Sequence, residues 1–260
     1  MLYFFKIFSR YIFIISLFYS YGSAIEIKNP YHAVDVAGKQ RMFTQRMLKD
    51  YTMIGMNNSF GNPSEDLKKI MGEFEDHLQS LHDYTKNPKI KKSTDKIKEL
   101  WLPIKKVLSQ KPDKGHVGKL QESLDELLSL SNDATHLFAK DTGKSAGKIV
   151  DMSGRQRMLS QRMASLYMLK VWGVNDEKFK EKMTSAMTLF KTSLETLEKS
   201  ELNTDEINKL LDKVKKSFMF FEIMNKSNSA FIPALIYKKS NDILKNMDTV
   251  TRLYVEVKKK

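Results

Sequence analysis

The chain has 260 residues, a formal net charge of +13, 11 glycines, 6 prolines and no cysteine. The missing cysteines exclude a disulfide framework, thiolate chemistry and lipid attachment through a thiol. The positive charge is spread along the chain, which fits solvated helical faces and a small anionic counterpart rather than nucleic acid.

Residues 1–24 read as a processing segment. Lys6 and Arg10 supply positive charge, Tyr11 to Tyr19 is a short apolar run, and Ser23 and Ala24 belong to a small-residue cleavage site. The run is short against the roughly 20 residues needed to span a bilayer. A cleaved signal peptide and a periplasmic location are therefore expected, with a mature charge of about +11 (13 − 2).

Beyond it, apolar residues recur at spacings of three and four, so the expected fold is all-α. In the first unit, 31–143, the pattern predicts four helices. They cover His32 to Met56, a segment capped by Ser64-Glu65-Asp66, Ser93 to Gln110 with a kink at Pro103, and Val117 to Asp141. Asn87-Pro88 is expected to end the second. The second unit, 147–257, predicts helices near 147–173, 176–200, 203–225 and 229–257, with Pro233 in the first turn of the last.

The units repeat. Val34-Asp35 to Met47 returns as Val150-Asp151 to Met163 at an offset of 116, and Phe74, Leu78 and Leu81 match Phe190, Leu194 and Leu197. Thr94 to Leu100 resembles Thr204 to Leu210 at offset 110, and Ser131-Asn132-Asp133 resembles Ser240-Asn241-Asp242 at 109. Shrinking offsets predict small loop deletions in the second copy. Short connections predict two tandem up-down-up-down four-helix bundles after the cleaved signal peptide. The first helices of the two units would then run parallel, with their motifs facing across a pseudo-twofold axis.

The repeated string is G-x-Q-R-M-x-x-Q-R-M. On a helical wheel Arg46 shares a face with Asp35, Lys39, Met42 and Met53, while Arg41 lies near Val34, Ala37, Gln45 and Leu48. Arg41 and Arg157 are expected to pair with acids of their own bundle, such as Asp35 and Asp151 or Asp133 and Asp141, and to be architectural with Gly38 and Gly154. Arg46 and Arg162, brought together, would repel unless an anion lay between them. Their guanidinium forks suit a planar oxyanion, with Gln45 and Gln161 as added donors and Met42 and Met158 as an apolar wall. The bland alternative is that each arginine fixes helix register against a carboxylate.

All five histidines lie in the first unit, so the repeat preserves no metal-ligand set, and no metal or cofactor is expected. No nucleophile elbow, phosphate loop or zinc-protease motif occurs, and no enzyme is expected.

Gly38 to Met47 and Gly154 to Met163 resemble the first helix of the periplasmic sensor domain of type IV pilus methyl-accepting transducers (the PilJ-type domain). They are similar too to nitrate/nitrite sensor kinases. The resemblance implies a four-helix bundle that binds nitrate or nitrite at a seam through the second arginine of each motif, here Arg46 and Arg162. It implies a sensor that recognises a small oxyanion and signals to a membrane sensor kinase or chemoreceptor. The competing expectation is a ligand-free adaptor docking on a chemoreceptor, a histidine kinase or a type IV pilus component; a homodimer through the motif is a further alternative.

Overall fold

Asn29 accepts the amide N–H of His32 on its side-chain oxygen at 2.9 Å, and Pro30 supplies a helical φ in the first turn. The chain therefore enters its first helix just before the motif. The computed structural model describes residues 25–143, 145–226 and 232–257. Residues 1–24, where the cleaved signal peptide is expected, lie outside the described residues, as do Lys258 to Lys260.

The described residues form helices α1 (Pro30–Gly55), α2 (Pro63–Tyr84), α3 (Pro88–Leu108), α4 (Val117–Asp141), α5 (Ser145–Val171), α6 (Phe179–Glu198), α7 (Asp205–Lys226) and α8 (Pro233–Val257). No strand appears among them, and no helix among them is long and apolar enough to cross a membrane. The third helix starts at Pro88 rather than Ser93, because Asn87 caps it by accepting the amide N–H of Lys89 at 3.0 Å. Asn87-Pro88 thus ends one helix and opens the next. At α2 the cap position is Asn62, held at φ +54°, with Pro63 following, rather than Ser64. Pro103 sits inside α3, which continues through it.

Each set of four helices closes into an up-down-up-down bundle. In the first, α1 packs on α2 and α4, and α3 packs on both of these; α5 to α8 repeat the arrangement. Phe74 lies against Trp101 with ring centroids 4.6 Å apart, and Phe190 lies against Phe218 at 4.4 Å. Trp101 is therefore matched by Phe218.

That match overturns the expected loop deletions. Buried Ile90, Thr94, Ile97, Trp101 and Ile104 correspond to buried Ile207, Leu211, Val214, Phe218 and Phe221, an offset of 117 rather than 110. Buried Thr135 and Phe138 of α4 correspond to Thr251 and Tyr254 of α8 at 116, not 109. Both errors are slips of seven residues. Two helical turns span about 7.2 residues, so a shift of seven returns apolar positions to the same face and imitates a true alignment.

The bundles meet through α1 and α5, the most extensive helix pairing among the described residues. Gln45 lies beside Ser165 and Lys49 beside Gln161. Adding 116 to one pair gives the other reversed, so α1 and α5 run parallel about a pseudo-twofold axis along their length.

Candidate functional site

α1 and α5 are each clasped by their own bundle and by one another, so no single polar stripe survives on them. From Ala33 to Met53 every residue of α1 is buried except Lys39 and Arg46. The helices touch where Gly38 meets Gly154: a Cβ built on Gly38 would lie 4.0 Å from the Cα of Gly154. The absent side chains let the backbones close and leave room for two guanidinium groups. That same Cβ would sit 3.3 Å from Nη2 of Arg41 and 3.4 Å from Nη2 of Arg157.

Arg41 and Arg157 are fully buried, and each crosses the seam. Arg41 Nη1 lies 2.7 Å from Asp151 and Arg157 Nη2 lies 2.7 Å from Asp35. Each guanidinium also donates to the backbone carbonyl of the same aspartate, at 3.2 and 3.3 Å. The expectation that these arginines pair within their own bundles is corrected: Asp35 and Asp151 are the partners, but exchanged between copies. Asp133 is exposed and Asp141 accepts a bond from Asn87 instead. Because α1 is apolar on several sides, its wheel could not tell which side meets α5.

The two halves of the crossing differ in one residue. Arg157 also holds Asp248 at 2.7 Å, whereas Arg41 donates to Asn132 at 3.1 Å, the residue at the matching position. Burial pulls Arg157 down, but Asp35 and Asp248 together outweigh it and hold it above the ordinary arginine value. Burial also pulls Arg41 down; Asp151 opposes this only in part, and Arg155 and Arg157 add like charge, so Arg41 stays lowered. Asp35 is raised by burial but ends below the ordinary carboxylate value through Arg157 and Lys39. The Nε atoms of Arg41 and Arg157 and the Oε1 atoms of Gln40 and Gln156 are buried with no hydrogen-bond partner among the described residues.

The expected convergence of Arg46 and Arg162 does not occur. Arg46 turns to Asp66 on α2, with Nε at 2.8 Å from one oxygen and Nη2 on the other. Arg162 turns to Asp125 on α4 at 2.6 Å. Charge changes between the copies explain the split. Lys182 stands where Asp66 would repeat, so Arg162 has no acid at the matching position of α6; Asn241 stands where Asp125 would repeat, so Arg46 has none at the matching position of α8. Arg162 and Met158 line a shallow cavity of about 290 Å³ with Asp125, Leu128, Ser129 and Asn132. Met42 is buried in the core. Gln45 reaches Asp125 at 3.4 Å, and Gln161 donates to the Ser240 carbonyl at 3.0 Å.

One buried pair escaped the sequence reading. Lys49 is fully buried, donates to Gln161 at 2.8 Å and Asn241 at 3.0 Å, and lies 4.2 Å over the Tyr237 ring. Burial depresses its ammonium to about 8, against the opposing charge of Asp50. Asp50, 3.9 Å away and fully buried, is raised well above the carboxylate range, by burial first, with the neighbouring Asp66 adding to the rise. Ser165 and Leu166 stand at the matching places in the second copy. That contrast was the available signal. Among the described residues no three histidines, cysteines or acids are grouped to hold a metal ion.

The family model described as PilJ, Type IV pili methyl-accepting chemotaxis transducer N-term, matches residues 27–126 and 139–218. The two segments cover α1 to the first half of α4, and α5 to most of α7. No curated protein and no solved structure matches the chain.

Proposed function

The chain belongs to the PilJ family, the N-terminal domain of type IV pili methyl-accepting chemotaxis transducers, in two tandem segments, and on that premise we propose that it is an exported sensor module whose α1–α5 seam takes a small planar oxyanion. Nitrate and nitrite are the first ligands to try. We place the ligand at Arg41 and Arg157 rather than at Arg46 and Arg162. The observation that carries this choice is the pair of buried guanidiniums at the Gly38–Gly154 crossing, each with an undonated Nε.

A planar oxyanion offers a guanidinium fork the same two oxygens that a carboxylate does. Its entry would exchange Asp35 or Asp151 for an external anion and loosen one tie between the bundles. That difference in cross-seam contact is the differential affinity a ligand needs to shift a structure. A membrane kinase or chemoreceptor would read the shift. We extend the reading to the unit limits 31–143 and 147–257 as two sensory repeats.

The reading is tested by calorimetry of the purified chain with nitrate, nitrite, sulfate and formate, beside Arg41→Lys and Arg157→Lys, which keep charge but lose the fork. Binding lost in these variants is the expected result. Loss confined to Arg46→Ala and Arg162→Ala would return the site to the second arginines. Binding of none of the four anions would support the second reading, a ligand-free adaptor. One observation favours that reading: every motif arginine already has a carboxylate partner.

A further inference from the structure

α2 packs closely on α1 but meets α3 only sparingly, and near the α1 C-terminus the gap widens into a cavity of about 530 Å³. This lies within the roughly 300–1,000 Å³ typical of small-molecule pockets. Its apolar lining comes from Ile54, Leu67, Met71 and Leu108, and Lys68 and Gly72 stand on its α2 wall. Gly72 is the telling residue. A glycine inside a helix costs about 0.5–1 kcal/mol relative to alanine. Its usual justification is a close neighbour, yet a Cβ on Gly72 would meet nothing within 4 Å.

The bundle does not need glycine there, because Thr188 occupies the matching position on α6. Lys68, one turn away on the same face, is exposed and has no ion-pair partner among the described residues; its counterpart is Thr184. The neighbouring Lys105 is already held by Glu75 at 2.6 Å, and Glu75 also accepts from Trp101 Nε1 at 2.8 Å. The cavity therefore presents an apolar floor, an opening left by a missing side chain and one uncommitted cation at its edge.

We infer that this α2–α3 cavity binds a medium-chain alkyl carboxylate, the tail over Ile54, Leu67, Met71 and Leu108 and the carboxylate on Lys68. The site is separate from the α1–α5 seam and does not rest on the oxyanion reading. Calorimetry of the full chain with decanoate, decyltrimethylammonium and decanol tests it. Gly72→Leu starts its side chain from a Cβ with no neighbour within 4 Å and removes a helix-interior glycine, so it should fold, with a raised melting temperature, while decanoate affinity falls about tenfold or more, the factor given by 1.4 kcal/mol. Lys68→Glu should weaken decanoate by a similar factor and spare decanol. Saturable decanoate binding lost in Gly72→Leu supports the site. No decanoate binding, equal binding of the cationic amphiphile, or full binding by Gly72→Leu overturns it.

Discussion

Arg41 on α1 and Asp151 on α5 sit 2.7 Å apart although they belong to different copies of the repeat, and Arg157 with Asp35 forms the same pair in reverse. Each bundle thus carries the counter-charge of the other. Buried pairs of this kind add little net stability over apolar residues, but removing one partner strands a charge in a low-dielectric interior.

The two aspartates should therefore be unequal under mutation. Asp151→Asn leaves Arg41 without a carboxylate, held only by Asn132 and the main-chain carbonyl of residue 151, and is expected to cost about 3–5 kcal/mol. Asp35→Asn leaves Arg157 with Asp248 and should cost less. Urea unfolding of both variants checks the order, and equal losses would contradict the asymmetric charge arrangement.

The Lys49–Asp50 pair invites replacement by what the second copy already uses. Lys49→Ser with Asp50→Leu reproduces Ser165 and Leu166 and removes two buried ionisable groups. Replacing a buried ion pair by apolar residues of similar volume is commonly neutral or stabilising by about 1–4 kcal/mol; serine is smaller than lysine, so the double variant is expected to lie near the parent. Lys49→Ser alone, which takes the buried donor from Gln161 and Asn241 while keeping the buried Asp50, should destabilise. Thermal melts of the single and double variants give the comparison.

His77 should shape the acid limb of stability. Burial, with Lys39 adding like charge, lowers its folded value to about 4 from the ordinary 6.5. Above 6.5 neither folded nor unfolded chain holds the proton, and this histidine takes nothing from stability. Between 6.5 and about 4 the unfolded chain takes a proton that the folded one refuses, so stability falls as pH falls, by at most about 3 kcal/mol, and then levels. His77→Leu should lose less stability than the parent between about pH 7.5 and about pH 4.5 in urea titrations.

The glycine crossing should resist even a methyl group. A Cβ at Gly154 would stand 3.1 Å from Arg157 Nη2, and one at Gly38 stands 3.3 Å from Arg41 Nη2. Both arginines are pinned by carboxylates and cannot move away freely. Gly38→Ala and Gly154→Ala are expected to cost about 1–3 kcal/mol through overpacking, against the small gain alanine brings to a helix. Denaturant midpoints measure the balance, and a raised midpoint in either variant would refute tight packing at the crossing.

Much of the fold was legible because helix-forming patterns here are long and the repeat is strong. The four-helix layout and the parallel first helices followed from short connections and the offset of 116. The alignment of the later helices did not, since a seven-residue slip preserves the apolar face of Leu210 or Ser240 as well as the true register does. The site was half legible. The motif arginines stood out, but α1 is buried almost all round, so nothing in its wheel said whether Arg41 or Arg46 faces α5. Asp66 and Asp125 decided where the second arginines went, and those acids lie on other helices. The α2–α3 cavity left only a faint trace, the unexplained Gly72.

The pseudo-twofold seam also frees the sequence from a constraint. In a dimer of identical chains, any substitution at the axis appears twice, and a lysine placed there meets its own image. Here Asn132 faces one arginine and Asp248 the other, and Lys49 projects into the seam opposite Gln161 with no second lysine to oppose it. Joining the halves in one polypeptide turns a symmetric contact into two surfaces that can diverge independently. One half can then be tuned for holding the bundles together while the other is tuned for letting go.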